Sequence, residues 1–125
     1  PIMDARRGQV YTGIYEFEGN DLVVLHDQMA VSIEELGEKL CAYGREVIFL
    51  GDGVPVFCEV LAERIMADSR ISFAPAHMNR QMVAAVGALA IRYYRAGKTE
   101  TAAQHQPDYL RMSQAERERR ERSKA

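Results

Sequence analysis

Residues 1–17 read PIMDARRGQVYTGIYEF, and the fold turns on how MDARRG hands over to QVYTGIYEF. An acid, two arginines and a glycine stand directly ahead of a run rich in β-branched and aromatic residues, the composition of a strand. Val10 and Ile14 alternate onto one face of that strand, and Tyr11, Tyr15 and Phe17 onto the other. Both faces are apolar, so cover on both sides is expected. The given sequence opens on Pro1, with no initiator methionine ahead of this charged turn. Two readings stay open: a small complete domain that starts this way, or the second half of something larger whose boundary falls at Pro1.

Working outward, Glu18 to Asp21 (EGND) form a turn, because Gly19 and Asn20 tolerate positive φ. LVVLH (Leu22 to His26) returns as a second strand and QMAV (Gln28 to Val31) as a short third, completing an antiparallel meander. The period then becomes helical. Ser32 and Glu35 make a capping box, Ile33, Leu36, Leu40 and Tyr43 an apolar stripe, and Gly44 a left-handed stop. EVIFL is a short buried strand ended by Gly51-Asp52-Gly53, and Pro55 fits the first turn of the next helix. Phe57, Leu61 and Ile65 line the inner face of that helix; ISF is a further strand, stopped by Pro75.

MNRQMVAAVGALAIRYYRAG predicts a last helix from near Asn79 to Gly97, with no polar side chain between Met82 and Ile91. A helix apolar all round is covered on more than one side. It is either the central helix of a small domain or a helix wedged between two lobes. The order β-β-β-α-β-α-β-α makes this an α/β chain with a mixed sheet, parallel after the meander, and matches a ribonuclease-H-like lobe. Residues 1–112 read as that lobe and 113–125 as a charged tail.

The 125 residues suffice for one core without disulfide or metal, and a net charge of -2 with 47% apolar residues gives no field-driven case for nucleic-acid or membrane binding. No run is long enough to span a bilayer, and the start does not read as a signal peptide. Cys41 and Cys58 fit no paired-cysteine motif and are expected as buried free thiols in a reducing cytoplasm.

MDARRGQVYTGIY, the mid-chain LGDG, FAPAHMNRQMVAAVGALA with its following RAGK, and PDYLRMSQAERE together resemble the C-terminal half of the TsaB (YeaZ) family of glycoprotease-like proteins. The similarity runs from Met3 to about Glu118, nearly the whole chain. The resemblance implies the second lobe of a two-lobed protein of the actin, sugar-kinase and Hsp70 type. The first lobe of that family carries an acidic strand and a GPGSFTG-like segment, which this sequence lacks. It further implies a cytoplasmic, non-catalytic subunit in the synthesis of threonylcarbamoyladenosine at position 37 of tRNA, partnered by TsaD and the ATPase TsaE. tRNA would be met only through that complex, and ATP with Mg²⁺ only in the two-lobed assembly.

In kinases of this architecture a phosphate loop opens each lobe, and Asp4, Arg6, Arg7 and Gly8 occupy the equivalent turn. Either Gly8 admits a phosphate and the arginines counter its charge, or Asp4 caps the turn and the arginines are solvated or paired. Gly51, Asp52 and Gly53 sit between a strand and a helix, where α/β folds often bind anions, but Asp52 would repel a phosphate. They read as a helix-capping turn, with a nucleotide edge as the alternative. Catalytic and metal-binding arrangements are not found: His26, His77 and His105 lack zinc-ligand spacing, there is no nucleophile elbow, and neither cysteine has an adjacent base. His77 reads as a loop residue.

Near the end, Pro107 forces extended backbone, and Tyr109 and Leu110 are expected to anchor that segment on the domain. Ser113 and Glu116 make a second capping box ahead of interleaved Glu and Arg, read as a solvated helix or as a basic tail touching tRNA phosphates. Two functional classes follow: a structural subunit of a tRNA-modifying complex, or a regulatory nucleotide-binding lobe of the sugar-kinase type. Peptidase activity lacks its residues. The apolar Met82–Ile91 helix and the Tyr11/Tyr15 face predict a homodimer that covers them.

Overall fold

The structure, a computed structural model, describes residues 1–65 and 70–110, together with Arg119 and Arg122. The charged tail therefore lies almost wholly outside the described residues, and with it the second capping box at Ser113.

The residues just ahead of the charged turn form a strand. β1 (Ile2–Asp4) pairs antiparallel with β2 (Gln9–Glu18), which pairs antiparallel with β3 (Asp21–Ser32). Three strands were expected, but in other places. β1 itself was not expected, though the turn read after it holds at Arg6, Arg7 and Gly8, and the two runs Leu22–His26 and Gln28–Val31 are one twelve-residue strand. Its continuity survives because the register slips twice, between Thr12 and Ile14 and between Ile14 and Tyr15, absorbing extra β3 residues as bulges. The tight Gly19-Asn20 turn closes this hairpin, with Gly19 at φ 62°.

Beyond β3 the expected elements follow in order. α1 (Ile33–Tyr43) starts on Ser32, whose hydroxyl accepts the Glu35 amide at 3.1 Å, and ends on Gly44 at φ 61°. β4 (Val47–Phe49), α2 (Val54–Val60, with Pro55 in its first turn), a π-helical turn over Leu61–Ile65 and β5 (Ile71–Phe73) complete the alternation. β4 and β5 pair in parallel, as their helical connection demands.

The single mixed sheet of the sequence reading appears as two: antiparallel β1-β2-β3 and parallel β4-β5. They meet at Ile2, whose N–H donates to the Leu50 carbonyl at 2.8 Å. A second backbone bond crosses just beyond β4, from the Gly53 N–H to the Ile2 carbonyl at 3.0 Å.

Burial concentrates on one side of this junction. Val10, Ile2, Leu36 and Leu61 are almost fully buried, with Ile33, Leu40, Phe49 and Phe57 around them. Each such side chain contributes about 1.5–3 kcal/mol by leaving water. Gly37 lets α1 touch the turn after α2, because a Cβ there would collide with Ile65. The expected two-sided cover of β2 holds only in part. Val10 and Ile14 are buried and Tyr11 and Tyr15 half-buried, whereas Phe17 is 71% exposed.

The last helix departs most from expectation. α3 is Val83–Arg95, four residues later than Asn79, because Arg80 and Met82 are extended and Ala76–Asn79 forms a separate 3₁₀ turn that carries His77. It ends at Gly97 as expected, with φ 70°. No α3 residue is buried, so it is not the central helix of a small domain. Tyr109, expected as an anchor, is 83% exposed, while Leu110 is half-buried. The cysteines are not fully buried as expected: Cys41 is exposed, and Cys58 is half-buried where it packs against the core.

Candidate functional site

The two loops singled out from sequence are parts of one junction. In the β1–β2 turn, Arg6, Arg7 and Gly8 all adopt positive φ, at 65°, 57° and 71°. Asp4 supports that conformation. Its Oδ1 accepts the Arg6 amide at 2.8 Å, and its Oδ2 lies 3.2 Å from the Arg6 guanidinium. The Ala5 N–H donates to the Gln9 carbonyl and the Gln9 N–H to the Arg6 carbonyl, so the amides of Ala5, Arg6 and Gln9 all bond inside the turn. Gly8 is exposed, but its carbonyl accepts the Ile33 N–H at 3.1 Å. That bond fixes the first residue of α1 to the opening hairpin.

Across the junction, Gly51 takes φ 109°, and a Cβ on it would run into the Ile2 carbonyl oxygen. A Cβ on Gly53 would come within 3.1 Å of the same oxygen, which already accepts the Gly53 N–H at 3.0 Å. Both glycines are thus needed because the backbone of β1 lies against them. The Gly51-Asp52-Gly53 turn leads into α2 as expected, with Gly53 at the cap position and no side-chain bond there. The Asp52 carboxylate instead accepts the Asp4 N–H at 3.2 Å, 48 residues away. Asp4, Arg6, Gly51, Asp52 and Gly53 therefore form a brace between the first and fourth strands. Arg7 and Gly8 extend it toward α1.

The amides of Asp4, Ala5, Arg6, Gln9 and Gly53 bond within the brace. Phosphate binding by such loops needs several convergent N–H groups, whereas these amides bond to carbonyls and carboxylates within the brace. The Arg6 side chain is 86% exposed and turned to its own Asp4. Among the described residues no cluster of three or more His, Cys, Asp or Glu side chains is arranged to hold a metal. No described helix is long and apolar enough to cross a membrane.

The larger surface feature was not visible in any motif. An open concavity of about 1960 Å³ separates α3 from the two sheets. Its lining includes Phe17, Val24, Ile48, Phe73 and Met78, all exposed by more than a third. Arg45 crosses part of its wall to pair with Glu16, and Arg92 of α3 reaches the β2–β3 hairpin at Asp21. Its wall combines exposed apolar faces with paired charges at the edge. The one signal in the sequence was the polar-free run from Met82 to Ile91, which requires cover from somewhere.

No family model matches the chain. Among curated proteins it is similar to the TsaB of Bacillus subtilis (strain 168), described as a tRNA threonylcarbamoyladenosine biosynthesis protein, with 32% identity over 119 residues. The matched stretch covers 93% of this chain and 48% of the relative, so the chain spans about half the length of the curated protein it matches. Over nearly its whole length, then, this chain is TsaB-like.

Proposed function

We propose that this chain serves as the second lobe of a TsaB-like protein, a non-catalytic subunit of the cytoplasmic machinery that makes threonylcarbamoyladenosine at position 37 of tRNA. The observation that carries the reading is the similarity to TsaB across 93% of the chain. The geometry is consistent with it. Continued through the Ile2–Leu50 bond, the strands would run β3-β2-β1-β4-β5, the order of a ribonuclease-H-like lobe. On this reading the lobe contributes surface and support, with TsaD and TsaE as partners of the whole protein and tRNA reached through them. ATP and Mg²⁺ would belong to the two-lobed assembly. The apolar concavity would be covered by a neighbouring lobe or by a second copy.

The test is genetic and chemical. In cells depleted of their own TsaB, a protein carrying this chain as its second lobe should restore threonylcarbamoyladenosine in bulk tRNA, measured by mass spectrometry of nucleosides. Growth without return of the modified nucleoside would overturn the reading. The nucleotide-binding alternative is weaker, because both glycines of the Gly51-Asp52-Gly53 turn face Ile2. Calorimetry with ATP and Mg²⁺ on the parent and on Asp4→Ala and Gly51→Ala separates the two. Saturable heat lost on both substitutions would favour nucleotide recognition.

A further inference from the structure

The net charge of -2 conceals a segregation along the chain. Residues 1–69 carry thirteen acidic and five basic side chains. The thirty residues from Arg70 to Thr99 carry five basic ones, Arg70, Arg80, Arg92, Arg95 and Lys98, and no acidic one. A basic stretch inside an otherwise acidic chain is the footprint expected of a polyanion contact.

Three of the five fall within seven residues at the end of α3. Arg92 and Arg95 are in its last turn, and Lys98 follows the Gly97 stop. All three are exposed and line the concavity. They are not equivalent. Arg92 is committed to a clasp on the β2–β3 hairpin, donating to the Asn20 carbonyl at 2.5 Å and pairing with Asp21. Arg95 makes no ion pair among the described residues. The Lys98 ammonium lies 5.6 Å from the Tyr93 ring centroid. Beside them Tyr94 is 76% exposed, which leaves its ring open to a partner. Of the acids that follow, Glu100 is turned to His105 at 2.5 Å, and Asp108 lines the same concavity. Cations at a helix C-terminus also complement its dipole. That effect does not account for thirty residues without an acid, nor for an uncovered tyrosine among the charges.

We propose that the end of α3 is an RNA-backbone contact, in which the Arg95 guanidinium and the Lys98 ammonium take phosphates and the Tyr94 ring stacks on a base. Cations beside an open aromatic ring suit a nucleic-acid strand better than a lipid headgroup or an acidic peptide, because only the strand brings flat rings with its charges. The inference rests on the TsaB-like reading, which supplies a tRNA as the strand. The assembly delivers that tRNA, and this chain adds an auxiliary contact. Arg92 stays in its clasp and fixes where the two cations stand. The apolar part of the concavity is left to a neighbour; only the end of α3 must stay open.

Fluorescence anisotropy with a labelled tRNA transcript tests this on the full chain across a salt series, with circular dichroism as the check of fold. The parent should bind with a Kd of about 1–100 μM at physiological salt and weaken as salt rises. Arg95→Gln with Lys98→Gln should flatten the slope of log affinity against log salt by about 1.4–1.8, the loss of two phosphate contacts. Tyr94→Ala should weaken binding by about five-fold or more with the slope unchanged, and Tyr94→Phe should keep the parental affinity. Lys39→Gln with Arg64→Gln removes the same charge from the acid-rich stretch and should leave the slope as it is. The proposal is overturned if the parent shows no saturable binding, if the Arg95 and Lys98 substitutions leave the slope unchanged, or if the control pair flattens it equally. Tighter binding to phosphatidylserine vesicles, lost on the same two substitutions, would assign the cations to a lipid surface and overturn it as well. The TsaB-like reading fails separately, by a protein with this lobe not restoring threonylcarbamoyladenosine in cells while its RNA binding behaves as stated.

Discussion

Two stretches of this chain use apolar residues in opposite ways. Between Ile2 and Leu61 such residues point inward: every buried hydrophobic side chain among the described residues falls in that span. Between Arg70 and Leu110 apolar residues reach a similar share only with many alanines counted, none is buried, and Val83, Val86, Tyr94 and Tyr109 are each exposed by 65% or more. The contrast is one of composition as well as geometry. In the first stretch, strands and helices alternate their faces against each other within a few residues. In the second, α3 is separated from both sheets by an open concavity and held at the hairpin tip. The first stretch carries the buried core and the second presents exposed apolar surface.

The sharpest way to break that contrast is a matched leucine pair. Leu36→Ala, at a position 1% exposed, should cost about 2–5 kcal/mol in urea unfolding. Leu89→Ala, on α3, should stay within about 0.5 kcal/mol of the parent. Comparable losses would mean that α3 belongs to the core. Next in size is the brace. Gly51→Ala forces a side chain into left-handed backbone against the Ile2 carbonyl and should destabilise by about 1–3 kcal/mol. Because the brace is structural, the loss should appear in unfolding without any nucleotide present. Ser32→Ala removes the hydroxyl that accepts the Glu35 amide and should cost about 1 kcal/mol. The smallest effect is at the rim of the concavity: Glu16→Gln, which breaks the pair with the half-exposed Arg45, should cost under about 1 kcal/mol and less as salt rises.

How much of this was readable from sequence depended on how local the determinants are. α1 was legible almost to the residue, since Ser32, Glu35 and Gly44 act within one turn of its ends. β4 and β5 were legible as short apolar runs bounded by Gly and Pro. β1 was not, because three residues carry no period and their strand character comes from pairing with Thr12, Tyr11 and Val10. The start of α3 was misplaced because the apolar composition continues through Met82 while the backbone there is extended. The candidate site shows the same limit. Asp4, Arg6, Arg7, Gly8 and Gly51-Asp52-Gly53 were rightly picked out as special turns, and were weighed as two separate anion loops. Only the fold reveals that Asp52 bonds to Asp4 and that the glycines accommodate β1. The Arg92–Asp21 clasp had no sequence signal at all, being one charged pair among many.

The most direct test of the division is to end the chain after Arg80 and follow urea unfolding by circular dichroism. If residues 2–73 hold the fold, the shortened chain keeps a single cooperative transition, with stability within about 1 kcal/mol of the parent. Loss of the cooperative transition would contradict the account, because α3 and the segment after it would then be supporting the core rather than presenting a surface.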